Sequence, residues 1–117
     1  MTHAVLPAML QQKRGAIVNV ASVSGMHGVV GQTNYSAAKG GLIALTRSLD
    51  REEAASGVRV TALCPGFVDT PMAEWTGIAA DEMIQPEDCA ELVRALLRLS
   101  PSARVPVVVI ERAGENV

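Results

Sequence analysis

The sequence predicts an α/β fold, a doubly wound parallel sheet with helices flanking it. Helical and strand patterns alternate along the chain, the order that produces crossover connections and parallel pairing. The strand segments AIVNVA, VRVTALC and VPVVVIE are near-continuously apolar and rich in β-branched residues, as in sheets covered on both faces. Apolar residues make up 49% of the chain, yet Tyr35, Phe67 and Trp75 are its only aromatics. The core must therefore be built from Val, Leu, Ile and Ala.

Each element has its own signature. Residues 3–12 read as the end of a helix with Val5, Leu6, Met9 and Leu10 on one side. Pro7 marks a kink or a late start, and Lys13-Arg14-Gly15 breaks the pattern. Residues 16–21 form the first strand, expected to be buried on both faces. The following dozen residues are loop, punctuated by Gly25, Gly28 and Gly31. From about Tyr35 to Ala55 the pattern is helical. Leu42, Leu45 and Leu49 fall at i, i+3 and i+7, with Asp50 and the neighbouring charges largely elsewhere on the circumference. Ala37-Ala38 and Gly40-Gly41 make this helix slim enough for another backbone to approach closely, and Ser56-Gly57 stops it.

Residues 58–64 are the second strand, ended by Pro65-Gly66, and residues 67–84 an irregular segment. The helix over 85–100 opens with Pro86, Glu87 and Asp88, which suit a helix N-terminus. Its apolar stripe is Cys89, Val93, Leu96 and Leu97. Residues 105–111 are the third strand. Arg59 and Arg104, each beginning a strand, read as solvated ends.

A chain of 117 residues makes one small domain. Its net charge of −2 and its lack of a basic cluster or a stacking platform argue against nucleic acid as a partner. No apolar run reaches the roughly 18 residues a membrane span needs. The N-terminus lacks the basic start and cleavage site of a signal peptide. Cys64 and Cys89 have no metal-ligand spacing; they read as reduced thiols, and the protein as cytoplasmic. His3 and His27 lack partners at catalytic or ligand spacing, so no metal site is expected.

The chemistry concentrates in NVASVSGMHGVVGQTNYSAAKGG, residues 19–41. Tyr35 and Lys39 are four apart, so a helix presents both side chains on one face. A phenol ordinarily ionises near pH 10, too high for a good proton shuttle. A fixed ammonium nearby favours the phenolate, which brings such a group toward the range useful in acid–base catalysis. Ser22, at the carboxyl end of the first strand, could hold and polarise the same substrate oxygen. The alternative is plain punctuation: a packed tyrosine, a solvated lysine, and Ser22 and Ser24 as turn formers.

The run from Gly15 to Lys39, followed by VRVTALCPGFVDTPM, resembles the short-chain dehydrogenase/reductase family. Ser22, Tyr35 and Lys39 match its Ser…Tyr-x-x-x-Lys pattern, with Tyr35 13 positions after Ser22, and Pro65-Gly66 matches its Pro-Gly motif. The spacing resembles the compact members of the family; Ser24 fits less well. The resemblance implies a Rossmann-like fold and NAD- or NADP-dependent hydride transfer between a carbonyl and an alcohol. Tyr35 would be the acid/base, and Lys39 would bind the nicotinamide ribose. Ser22 would orient the substrate oxygen, while Pro65, Gly66, Val68 and Thr70 would line the nicotinamide. The segment with Met72, Trp75 and Met83 looks like a substrate lid, and the Tyr35–Lys39 helix like the family's homo-oligomer interface.

The resemblance covers only the C-terminal half of the family's domain, about three parallel strands. The Gly-rich turn, the Asn-Asn-Ala-Gly stretch and the catalytic asparagine have no counterpart in residues 1–117, which therefore read as a partial dinucleotide-binding domain. Asn19, inside the first strand, reads as structural. The tail, VVVIERAGENV, departs from the family's Asp-Gly-Gly ending. A second reading follows: a catalytically silent remnant serving as a dimerisation or interaction module. Substrate identity and NAD versus NADP preference are not readable.

Overall fold

The alternation of apolar strands and helices resolves into a single three-stranded parallel sheet in a computed structural model, which describes residues 1–114. The elements are α1 (Thr2–Gln12), β1 (Gly15–Val20), α2 (Ser24–His27), α3 (Thr33–Glu52), β2 (Val58–Pro65), α4 (Pro86–Arg98) and β3 (Val107–Ile110). Two short 3-10 turns, Pro71–Thr76 and Ala80–Glu82, interrupt the segment between β2 and α4. Strand order is β1-β2-β3. Gly15 lies opposite Val58 and Val20 opposite Leu63; Ala62 lies opposite Val107 and Pro65 opposite Ile110.

β2 is central, and its sequence shows why. Val58, Val60, Ala62, Leu63 and Cys64 are all buried, so residues from both faces of this strand leave water. Removing side chains the size of Val60 and Leu63 from water contributes about 1.5–3 kcal/mol each. Ala62 and Cys64 pack with Ala21 and Ile43, which places α3 over that face. Arg59 belongs to the alternate set, which points to the other face. Its guanidinium donates to the Leu96 carbonyl of α4 at 2.6 Å. Arg59 is thus no free strand end; it ties β2 to the end of a helix.

The leucine stripe of α3 turns inward only in part, with Leu42 packed against the core cluster. Ile43, Thr46 and Asp50 are buried, whereas Leu45 is 49% exposed. The polar residues on the buried face are satisfied. Thr46 Oγ1 donates to the Leu42 carbonyl at 2.8 Å and accepts the Asn19 amide at 3.0 Å. Asp50 receives a forked Arg104 guanidinium, Nε to Oδ1 at 3.3 Å and Nη2 to Oδ2 at 2.7 Å. Position 50 is a buried anchor rather than a solvated charge, and Arg104 is its partner rather than a solvated end. Asn19 serves the structural role its place in a strand implied.

Other expectations are also refined. α1 runs through Pro7 and buries none of its residues. β1 is only half-buried, with Val20 55% exposed, because among the described residues no strand pairs with its outer side. The loop after β1 contains the short α2, and Leu97 of α4 points to solvent with Leu96 as the buried residue. α4 begins as its sequence dictates: Pro86 opens it, and the Gln85 N–H donates to the Asp88 carboxylate at 3.0 Å. The radius of gyration, 15.2 Å, exceeds the ~13 Å of a self-contained domain of this length. The uncovered edge of β1 and the unburied α1 are consistent with that figure.

The Asp50 side chain is 3% exposed and depends on Arg104, whereas Arg94 and Glu91 meet at 3.8 Å with both side chains mostly in water. Exposed pairs of the second kind contribute little; removing the partner of a buried charge is destabilising. Arg104→Ala should therefore lower the thermal midpoint by several degrees and Arg94→Ala should leave it nearly unchanged, as followed by far-ultraviolet circular dichroism. Equal midpoints would mean that Asp50 reaches solvent without its guanidinium.

Candidate active site

In open parallel sheets, ligands bind beyond the carboxyl ends of the strands. Here β1 and β2 end side by side, and backbone hydrogen bonds hold the chain that leaves them. The Ala21 N–H donates to the Leu63 carbonyl at 2.7 Å and the Val23 N–H to the Pro65 carbonyl at 3.2 Å. Ser22 lies between these two anchors, 7% exposed. Its Oγ accepts the Ser24 N–H at 3.1 Å. A hydroxyl has one proton and two lone pairs, so that bond leaves the proton free to aim at a ligand. Ser24 is thus a backbone partner of Ser22.

Tyr35 and Lys39 stand in the first two turns of α3, one turn apart. Tyr35 is 39% exposed. The Lys39 ammonium lies 5.8 Å from the centroid of the Tyr35 ring, within cation–π range. It also donates to the Val20 carbonyl at 3.0 Å. Because the Ala21 N–H points to β2, the alternation of a parallel ladder turns the Val20 carbonyl outward, toward the unpaired side of β1. Lys39 therefore closes an open carbonyl at the end of β1 with one of its three donors and retains two.

These residues share one cavity of about 790 Å³. Ser22, Tyr35, Lys39, Pro65, Gly66, Val68 and Thr70 all line it, so the expected catalytic and cofactor-lining residues are brought together. The Thr70 hydroxyl makes a long contact, 3.4 Å, to the Val68 carbonyl. Of the expected lid residues, Met72 and Trp75 line this cavity, whereas Met83 lines a separate depression with Asp81, Asp88 and Glu111. The segment between β2 and α4 is clasped at its base: Val68 bridges to Ile84, the Asp69 N–H donates to the Ile84 carbonyl at 2.8 Å, and the Ile84 N–H donates to the Phe67 carbonyl at 3.0 Å. Trp75 meets Phe67 edge to face at 6.2 Å between ring centroids, an arrangement worth about 0.5–1.5 kcal/mol beyond burial.

Sequence reasoning missed Val29, Gln32, Phe67 and Arg112, which also line the cavity. Phe67 could have been found, since it follows Pro65-Gly66 directly. Arg112 could have been placed by the rule of strand ends, lying just after β3. Among the described residues, Lys39 and Arg112 are the cavity's charged side chains, and no described carboxylate lines it. Among the described residues there is no group of three or more His, Cys, Asp or Glu side chains able to hold a metal ion, and no helix is long and apolar enough to cross a membrane.

The sequence model of the short chain dehydrogenase family matches residues 1–79. The chain belongs to that family. It is 49% identical over 74 residues to the 3-oxoacyl-[acyl-carrier-protein] reductase FabG of Thermotoga maritima, covering 63% of this chain and 30% of the relative. To the 2-(R)-hydroxypropyl-CoM dehydrogenase of Xanthobacter autotrophicus it is 36% identical over 116 residues, 97% of this chain and 44% of that one. The fold superposes on a crystal structure of a betaketoacyl-[ACP] reductase (FabG) from Bacteroides thetaiotaomicron with a TM-score of 0.79 and 39% identity, covering 96% of this chain and 46% of that one. The chain spans less than half the length of these relatives.

Cys64 lies beneath Ser22 and is fully buried. Burial pushes its thiol up, against weaker opposing effects from the Ser22 backbone and Arg47. Burial also raises the Cys89 thiol, and the Asp88 carboxylate adds to the rise. A raised pKa means less thiolate at neutral pH, and the thiolate is the nucleophile. Iodoacetamide at pH 7 should therefore label both cysteines more slowly than a free thiol and Cys64 more slowly than Cys89, with rates climbing as pH rises. Peptide mass spectrometry resolves the two sites, and faster labelling of Cys64 would contradict its burial.

Proposed function

We propose that this chain carries the catalytic half of an NAD- or NADP-dependent oxidoreductase that interconverts a carbonyl and an alcohol. One observation carries the reading: a hydroxyl, a phenol and an ammonium converge on one cavity at the carboxyl ends of two parallel strands. Family membership and the names of the reductase and dehydrogenase relatives support it. Under this reading, when a carbonyl substrate is reduced, the Ser22 hydroxyl hydrogen-bonds the carbonyl oxygen and polarises it. The Tyr35 hydroxyl gives that same oxygen its proton. The Lys39 ammonium stabilises the negative charge that develops on the phenol oxygen as the proton leaves. In the direction of oxidation each transfer reverses, and Tyr35 takes the proton from the alcohol.

The reduced nicotinamide cofactor supplies the hydride. Pro65, Gly66, Val68 and Thr70 would hold its nicotinamide, and the remaining donors of Lys39 its ribose. The pyrophosphate needs a strand, a Gly-rich turn and a helix start, and the described residues offer none in that order. Tight cofactor binding therefore calls for the half-domain that the relatives carry on the N-terminal side. The substrate is a small carbonyl or alcohol compound, and the compartment is the cytoplasm.

A homo-oligomer through α3 completes the reading. Leu45 of α3 is 49% exposed, so this part of the helix is available to a second copy. The same surface also favours the alternative of an interaction module without catalysis. Cofactor binding separates the two.

With the chain extended by the N-terminal half-domain of its relatives, isothermal calorimetry should detect cofactor binding. In that protein Tyr35→Phe should lower kcat for carbonyl reduction by roughly 10²–10⁴-fold and leave the cofactor's dissociation constant nearly unchanged. Undiminished turnover would remove Tyr35 from the mechanism; absent cofactor binding would favour the module.

A further inference from the structure

We propose that Gly25 and Gly40 are positioning residues: their missing side chains set the depth at which the turn after Ser22 seats on α3, and thereby the place of the Lys39 amine. The proposal rests on the reading of Lys39 given above.

The two glycines face each other. A Cβ built on Gly25 would lie 2.6 Å from the Gly40 nitrogen, 2.6 Å from the Lys39 carbonyl carbon and 3.0 Å from Lys39 Cβ. A Cβ built on Gly40 would lie 3.1 Å from the Gly25 carbonyl oxygen. Most of these neighbours are backbone atoms, which cannot swing aside as the end of a flexible side chain can. Neither glycine has a positive φ, so backbone conformation does not require glycine at either place. Space does.

The contact joins the elements of the site at short leverage. Gly25 lies three residues after Ser22, and its N–H donates to the Ser22 carbonyl at 3.1 Å. Gly40 is the residue after Lys39. Any separation of the two backbones moves Ser22 relative to Lys39, whose amine is held by a 3.0 Å bond to Val20 on the strand that leads into Ser22. A side chain at position 25 pushes the turn after Ser22 and α3 apart, and one at position 40 makes the Gly25 carbonyl give by a few tenths of an ångström, so either alters the seat of the Lys39 amine. Gly41 is the natural control, for a Cβ there would meet nothing within 4 Å.

Lys13 and Lys39 are the only lysines in the chain, which makes the amine directly observable. Reductive ¹³C-dimethylation leaves each ammonium one N–H and gives one lysine signal for each residue. Gly40→Ala and Gly41→Ala add the same methyl group to adjacent positions of one helix, where alanine is the better helix former. Gly40→Ala and Gly25→Ala should shift or broaden the Lys39 dimethyl resonance, leaving that of Lys13 in place; Gly41→Ala should move neither. If Gly25→Ala does not fold, the Gly40/Gly41 comparison decides alone. Coincident Lys39 resonances in Gly40→Ala, Gly41→Ala and the parent protein would overturn the proposal. This readout does not depend on turnover. An unmoved resonance defeats the positioning role and leaves the proposed chemistry standing, whereas full activity of Lys39→Met in the extended protein would defeat the chemistry whatever the resonance does.

Discussion

The parallel register of β1 against β2 is the constraint on which the site depends. Pairing Val20 with Leu63 ends both strands at the same level, so the turn carrying Ser22 and the turn carrying Pro65-Gly66 emerge together. The bonds from Ala21 to Leu63 and from Val23 to Pro65 then fix the first turn on the second. A slip of one residue would exchange the faces of β1. It would take Asn19 from Thr46 and Ala21 from the cluster with Ile43, Ala62 and Cys64. Packing and hydrogen bonding therefore both select the register that forms the cavity.

Much of this was legible in the sequence because it is written in short-range patterns. Near-continuous apolar strands, a Tyr and Lys one helical turn apart, and a Pro-Gly pair after a strand each have local physical meaning. What was not legible depends on partners far along the chain. Asp50 looks like a solvated charge until Arg104, 54 residues later, is brought to it. Leu45 looks like a core residue until Thr46 and Asp50 find their partners and set the rotation of the helix about its axis. Arg59 gave no sign of the Leu96 carbonyl. Arg112 enters the cavity only because β3 pairs with β2. The half-buried state of β1 escaped notice for a related reason: composition records how apolar a strand is, not whether anything lies beside it.

The comparisons and the geometry meet at that uncovered edge. The relatives are more than twice as long as the matched region, and among the described residues one edge of β1 is unpaired, α1 is unburied and the cleft lacks a phosphate-binding turn. Exposed strand edges invite association and are commonly blunted by charge, lysine above all. Lys39 performs that task at the end of β1 by donating to the outward Val20 carbonyl. The ammonium proposed to assist chemistry is thus also a structural hydrogen-bond donor, and its place depends on what lies along the edge.

The scarcity of aromatic residues has a spectroscopic consequence. Tyr35, Phe67 and Trp75 are the chain's entire set of rings, and all three line the cavity. The aliphatic core beneath them absorbs nothing in the near ultraviolet. Intrinsic fluorescence and near-ultraviolet dichroism of this protein therefore report on the cleft, and a loss of either signal marks disturbance there rather than in the sheet.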